Sequence, residues 1–115
     1  TFPIAKIYAR KAVELDENLA EAHATLGVVK MMYDWDWAGA EESLKRAIQL
    51  NPGSVLAYSN YSWFLTVTRR FDASIANADK ARDLNPLSLT DKTMYGERFF
   101  EAGRFEVAID LLTKV

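Results

Sequence analysis

At 115 residues and 50% hydrophobic, with fourteen Lys plus Arg against sixteen Asp plus Glu, the chain can bury one small core and carries a formal net charge of -2. That balance lacks the basic footprint that neutralises a nucleic-acid backbone, and the Arg69-Arg70 pair is too short to supply one. With no cysteine there is no disulfide framework and no thiolate nucleophile or metal ligand, and no apolar run approaches a membrane span.

Alanines, large apolar residues and charges alternate at helical spacing along almost the whole chain, and the breakers fall at regular intervals. Seven helices and no strand are predicted. The first, about 3–15, has Pro3 where its missing N–H costs little, and with Lys6, Arg10 and Lys11 on it the N-terminus does not look like a signal peptide. The second, about 19–33, opens with Asn18 and Glu21 at a spacing resembling a capping box. The third runs from about 37 to 50, and Asn51-Pro52-Gly53 stops it, because proline disfavours helix in the residue before it. Ser54 can cap the fourth, about 55–68, and Arg69-Arg70 link it tightly to the fifth, about 72–84. Asn85-Pro86 repeats the stop, Ser88 followed by Asp91 caps the sixth, about 89–102, and Gly103 turns the chain into the seventh. Both ends read as cuts through a longer polypeptide.

The helices recur as pairs. Ala12-Val13-Glu14-Leu15-Asp16 returns as Ala47-Ile48-Gln49-Leu50-Asn51-Pro52 and again as Ala81-Arg82-Asp83-Leu84-Asn85-Pro86, a period of 34 or 35 residues. Such a unit cannot bury its own apolar face and must stack on its neighbours, which makes a quasi-linear solenoid. Leu26-Gly27, Tyr61-Ser62 and Tyr95-Gly96 each set a small residue beside a large one, where a second helix can approach closely. Trp37, Phe71 and Phe105 open the second helix of each pair, followed three residues on by Ala40, Ser74 and Ala108 and then by Ala47, Ala81 and Val115.

On these residues the chain resembles the tetratricopeptide repeat over its whole length. The resemblance divides it into a second helix of a partial repeat (1–19), two full repeats (20–54 and 55–88) and a truncated one (89–115). It implies an all-α, right-handed superhelix of antiparallel helix pairs. Two departures stand out. The turn Tyr33-Asp34-Trp35-Asp36-Trp37 is one residue longer than Thr68-Arg69-Arg70-Phe71 and Ala102-Gly103-Arg104-Phe105, and it is similar to turns in the C-terminal repeat regions of some bacterial signalling proteins. Lys30 stands where the other repeats have Leu65 and Phe99, so its stem should cross apolar surface with its head in water.

Candidate chemistry is sparse. Asp34 and Asp36 flank Trp35, but two carboxylates fall short of a calcium shell, and an Asp just before a helix caps it. His23 is the only histidine and has no marked partner for catalysis. Gly27, Gly96 and Gly103 serve helix contacts and turns, since no Gly-rich run joins a strand to a helix. The reading is therefore of a non-enzyme with no catalytic residue, no cofactor and no metal, set in the cytoplasm.

In tetratricopeptide arrays the first helix of each pair lines the concave face. Carried over, this selects Glu21, Ala24, Val28 and Met31, then Leu56, Ser59, Trp63 and Thr66, then Thr90, Thr93, Glu97 and Phe100 as a groove for a protein or peptide. Trp63 near the centre is either an anchor for an apolar partner side chain or a core residue between helices. Repeat modules that hold a chain's C-terminal carboxylate use lysine, arginine and asparagine, whereas the matching places here hold Ala24, Val28, Ser59, Trp63, Thr93 and Glu97, so no such ligand is expected. RNA recognition also fails, because Glu21 and Glu97 oppose it. The alternative function is self-association through apolar terminal helices, since Val107, Ile109, Leu111 and Leu112 meet no polar cap.

Overall fold

The computed structural model describes residues 4, 7, 8, 10, 11 and 19–113. Within 19–113 lie six helices and no strand: α1 (Ala20–Met32), α2 (Trp37–Leu50), α3 (Val55–Val67), α4 (Phe71–Leu84), α5 (Leu89–Glu101) and α6 (Phe105–Thr113). Of the first predicted helix, Ile4, Ile7, Tyr8, Arg10 and Lys11 are helical and exposed, and its remaining residues lie outside the described ones.

Local chemistry accounts for the helix ends. The Asp36 carboxylate accepts from Gly39 N at 2.9 Å, the Ser54 hydroxyl from Ala57 N at 3.1 Å and the Ser88 hydroxyl from Asp91 N at 3.2 Å, each satisfying an orphan donor in a first turn. α1 differs from expectation: its N-cap is Leu19, which has no side chain able to cap, and Asn18 lies outside the described residues. Asn51 is extended, as a residue before proline should be, and its side-chain oxygen accepts from Gly53 N at 3.0 Å to close the turn.

The three turns inside the helix pairs share one device. Trp35 (φ 52°), Arg69 (φ 63°) and Gly103 (φ 82°) all stand two residues before the next helix with left-handed backbone. The extra residue in the first turn therefore leaves that device in place. Only glycine adopts this conformation without a Cβ clash. Replacing Arg69 by glycine should thus raise stability by about 1 kcal/mol, read as a rightward shift of a urea unfolding curve; a leftward shift would mean that the Arg69 guanidinium over the Phe71 ring, 5.8 Å from its centroid, matters more.

Each helix pairs antiparallel with its successor across these turns, α1 with α2, α3 with α4 and α5 with α6, and the pairs stack into a body of 44 × 27 × 25 Å. Small residues set the approach within pairs. A Cβ on Gly27 would lie 2.6 Å from Leu44 Cγ, and one on Gly96 2.8 Å from Leu112 Cδ2, while Ala40, Ala47, Ala78, Ala81 and Ala108 are fully buried. The large buried residues concentrate at the first junction: Met31, Leu44, Phe64 and Leu65 form one cluster with Ala40, and Ala24, Ala47 and Ala57 form another. The last pair buries no large apolar side chain. Its buried residues are Asp91, Gly96, Arg98 and Ala108, and Phe105, Val107 and Ile109 stay exposed.

Candidate binding groove

The twelve predicted groove residues divide by burial. Glu21, Leu56, Thr90, Glu97 and Phe100 are exposed, and Val28, Ser59, Trp63, Thr66 and Thr93 are half-buried. Ala24 and Met31 do not reach the surface. α3 stacks on α1 and covers them, Ala24 joining Ala47 and Ala57, and Met31 joining Leu44, Phe64 and Leu65. Asn60 Nδ2 pins this junction by donating to the Ala24 carbonyl at 3.2 Å. Thr66 is also turned inward, its hydroxyl meeting the Ser74 hydroxyl at 2.6 Å and donating to the Ser62 carbonyl at 3.1 Å.

Three of the twelve converge. Trp63 from α3 and Glu97 and Phe100 from α5 line one recess of about 590 Å³, which Arg98, Glu101 and Leu112 complete. Trp63 packs one side against the first-junction core while also lining this recess. Thr90, Thr93 and Glu97 border a second, smaller recess of about 420 Å³ with Leu89 and Met94, so Glu97 stands between the two.

Beneath the first recess runs a polar seam that periodicity alone does not reveal. Ser62 and Ser74 occupy the close-contact places that Gly27 and Ala40 hold in the first pair, and each hydroxyl donates to the other's backbone carbonyl, at 2.9 and 2.8 Å. Arg98 Nε donates to the Ser62 hydroxyl at 2.9 Å, and its guanidinium meets Glu101 at 2.6 Å. The Arg98 side chain is only 9% exposed, so both of these bonds act in low dielectric. Sequence reading passed over Arg98 because a basic residue on an amphipathic helix ordinarily faces solvent; the Arg98–Glu101 spacing of three was the one available signal.

A second polar cluster locks α2 to α3. Glu41 accepts from the Tyr61 hydroxyl at 2.8 Å and pairs with Arg70 at 2.8 Å, while the Arg70 guanidinium lies 5.5 Å from the Phe64 ring centroid. Burial alone would push the Glu41 carboxyl up, but the bonds from Arg70 and Tyr61 more than offset it and hold that carboxyl below the usual range. Burial, followed by the bond to Glu41, pushes the Tyr61 phenol up to about 12. The folded state thus keeps this proton to higher pH than the unfolded chain, so its contribution is complete below about pH 10 and is lost as pH rises through about 12. The gap between the urea midpoints of the native protein and Tyr61→Phe should narrow across that window; a constant gap would show that the phenol proton contributes nothing.

Elsewhere the half-buried Lys30 donates from its ammonium to the Ser43 hydroxyl at 3.1 Å, beside a separate recess between α1 and α2 that also holds His23 and Arg46. Asp34 pairs with Arg10 at 3.3 Å. No helix among the described residues is long and apolar enough to cross a membrane.

No protein-family model matches the chain. It is 29% identical over 100 residues to the small glutamine-rich tetratricopeptide repeat-containing protein 2 of Mycosarcoma maydis, covering 86% of this chain and 28% of that protein. It is also 29% identical over 94 residues to the type IV pilus assembly protein PilF of Pseudomonas aeruginosa, covering 82% of this chain and 34% of the other. The chain therefore spans about a third or less of the relatives it matches. A crystal structure of MamA superposes with a TM-score of 0.80 at 26% identity, over 98% of this chain and 61% of that one, and a second MamA structure gives 0.78 at 26% over 95% and 63%. The chain has the tetratricopeptide-repeat fold. Its likeness to tetratricopeptide-repeat proteins makes it a protein-interaction module in general kind, built on stacked helix pairs. Within this fold the small-residue contacts of the first and third pairs use Gly27 and Gly96, and the second substitutes the Ser62–Ser74 seam.

Proposed function

We propose that the domain is a non-catalytic, cytoplasmic module that binds a protein segment in its concave groove, with the recess at Trp63 as the anchor point. The convergence of Trp63, Glu97 and Phe100 from two repeats on one recess carries this reading. A half-buried tryptophan beside an exposed phenylalanine is the kind of aromatic surface on which binding energy concentrates. The net charge of -2 and the absence of a lysine or arginine among the twelve groove residues argue against nucleic acid and against a C-terminal carboxylate.

The test is capture of partners from a lysate of the source cell by the tagged domain, with Trp63→Glu and Phe100→Glu in parallel. Trp63 also touches the core, whereas Phe100 is 54% exposed, so Phe100→Glu is the cleaner probe. A protein held by the native domain and lost from a Phe100→Glu domain of unchanged helix content is the expected result. Retention of every captured protein by both folded variants would move the site elsewhere.

A second reading, self-association through the terminal helix, draws on the exposure of Val107 (45%) and Ile109 (59%) on α6. Sedimentation equilibrium of the native domain beside Ile109→Glu separates it: a dimer dissolved by that substitution would favour this reading.

A further inference from the structure

We propose that the recess between α3, α5 and α6 takes a basic–apolar peptide segment, with an apolar side chain seated on Trp63, Phe100 and Leu112 and a neighbouring lysine or arginine facing Glu97 and Glu101. This inference rests on the groove reading above and adds the chemistry of its ligand.

Charge complementarity carries it. The charged members of the groove stripe are Glu21 and Glu97, both exposed, and neither forms an ion pair among the described residues. The one cation in the recess is already committed: Arg98 gives Nε to the Ser62 hydroxyl at 2.9 Å and its terminal nitrogen to Glu101 Oε1 at 2.6 Å, with its side chain 9% exposed. An incoming carboxylate would find only the remaining N–H groups of a guanidinium already paired with Glu101, and would be repelled by Glu97 beside it. An incoming cation meets no such repulsion. Glu101 spends one oxygen on Arg98 and, with a side chain 34% exposed, can accept further bonds, and Glu97 is unengaged.

The apolar floor points the same way. Lysine and arginine lay their stems on apolar surface while the charge stays at the wet rim, and their heads are attracted to an aromatic face, tryptophan most of all. Trp63 and Phe100 supply such faces directly beside the two carboxylates. A neutral apolar segment would gain the floor alone, and an acidic one would meet the net negative charge that Glu97 and Glu101 leave beside Arg98.

The probe is a random peptide library displayed on phage and selected on the folded domain, followed by fluorescence anisotropy on an enriched peptide and on copies with its basic residues changed to Gln or to Glu. Enriched sequences should combine an apolar residue with adjacent Lys or Arg. Glu97→Lys, at an exposed site and checked for native helix content, should weaken the enriched peptide about tenfold, and the weakening should shrink as salt is raised. Enriched peptides without basic residues, or peptides lost on Phe100→Glu yet unaffected by Glu97→Lys, would overturn the charge assignment and leave the groove standing. No enrichment at all, or enriched peptides indifferent to both substitutions, would overturn both.

Discussion

Phe64→Ala is expected to lower the stability of the domain by about 3–5 kcal/mol, the range for removing a buried aromatic side chain. Phe64 is 1% exposed and is the largest fully buried side chain in the described structure. It sits in the cluster that joins the first two repeats, with Trp37 and Tyr61 rings both 6.2 Å away and the Arg70 guanidinium over its face. Domains of this size are stable by only about 5–15 kcal/mol, so one truncation here removes a large share. The cavity would open at the junction between repeats, where a solenoid's stability largely resides, because each unit rests on its neighbours. Urea unfolding followed by far-ultraviolet circular dichroism measures it. A loss below about 1 kcal/mol would mean that the neighbours collapse into the space, and would deny the junction its central place.

Gly27→Leu should be the next most disruptive change. Gly27 lets α1 and α2 touch: even a single Cβ would lie 2.6 Å from Leu44 Cγ and 3.1 Å from the Ala40 carbonyl oxygen. A leucine there must push the helices apart or force Leu44 from its packing, at a cost of about 1–3 kcal/mol or more. Gly53→Ala is the control, since a Cβ at that position would meet only the Asn51 side-chain oxygen, at 3.3 Å. The pair of variants separates steric closeness from the general effect of replacing a glycine. If the two lose stability equally, close approach at Gly27 is not the cause. A cooperative loss of helix in Gly27→Leu would also show that α1 and α2 unfold together, as paired elements of one repeat should.

Much of the architecture was legible because helix ends and helix pairing are local matters. Asn-Pro steps, Ser and Asp caps and the small residues at fixed spacing act within a few residues of themselves, so the five helices from Ala20 to Glu101 begin and end within one residue of expectation. The seventh predicted helix appears as α6 after the Gly103 turn. Even the longer Tyr33–Trp37 turn obeys a local rule, although its left-handed residue is Trp35, which composition would not select.

The candidate site was legible only in outline. Helical periodicity put Trp63, Glu97 and Phe100 on the groove stripes, and the three line one recess, but it assigned the same status to Ala24 and Met31, which α3 covers, and to Thr66, which bonds to Ser74. It could not find Arg98, whose burial depends on Ser62, 36 residues earlier in the chain. By itself the sequence determined the fold class, the repeat and the helix ends, since these follow from local propensity and composition. Only the tertiary structure decided which stripe residues stay open, because exposure depends on what a neighbouring repeat lays across them, and that contact is set by packing between helices far apart in the chain.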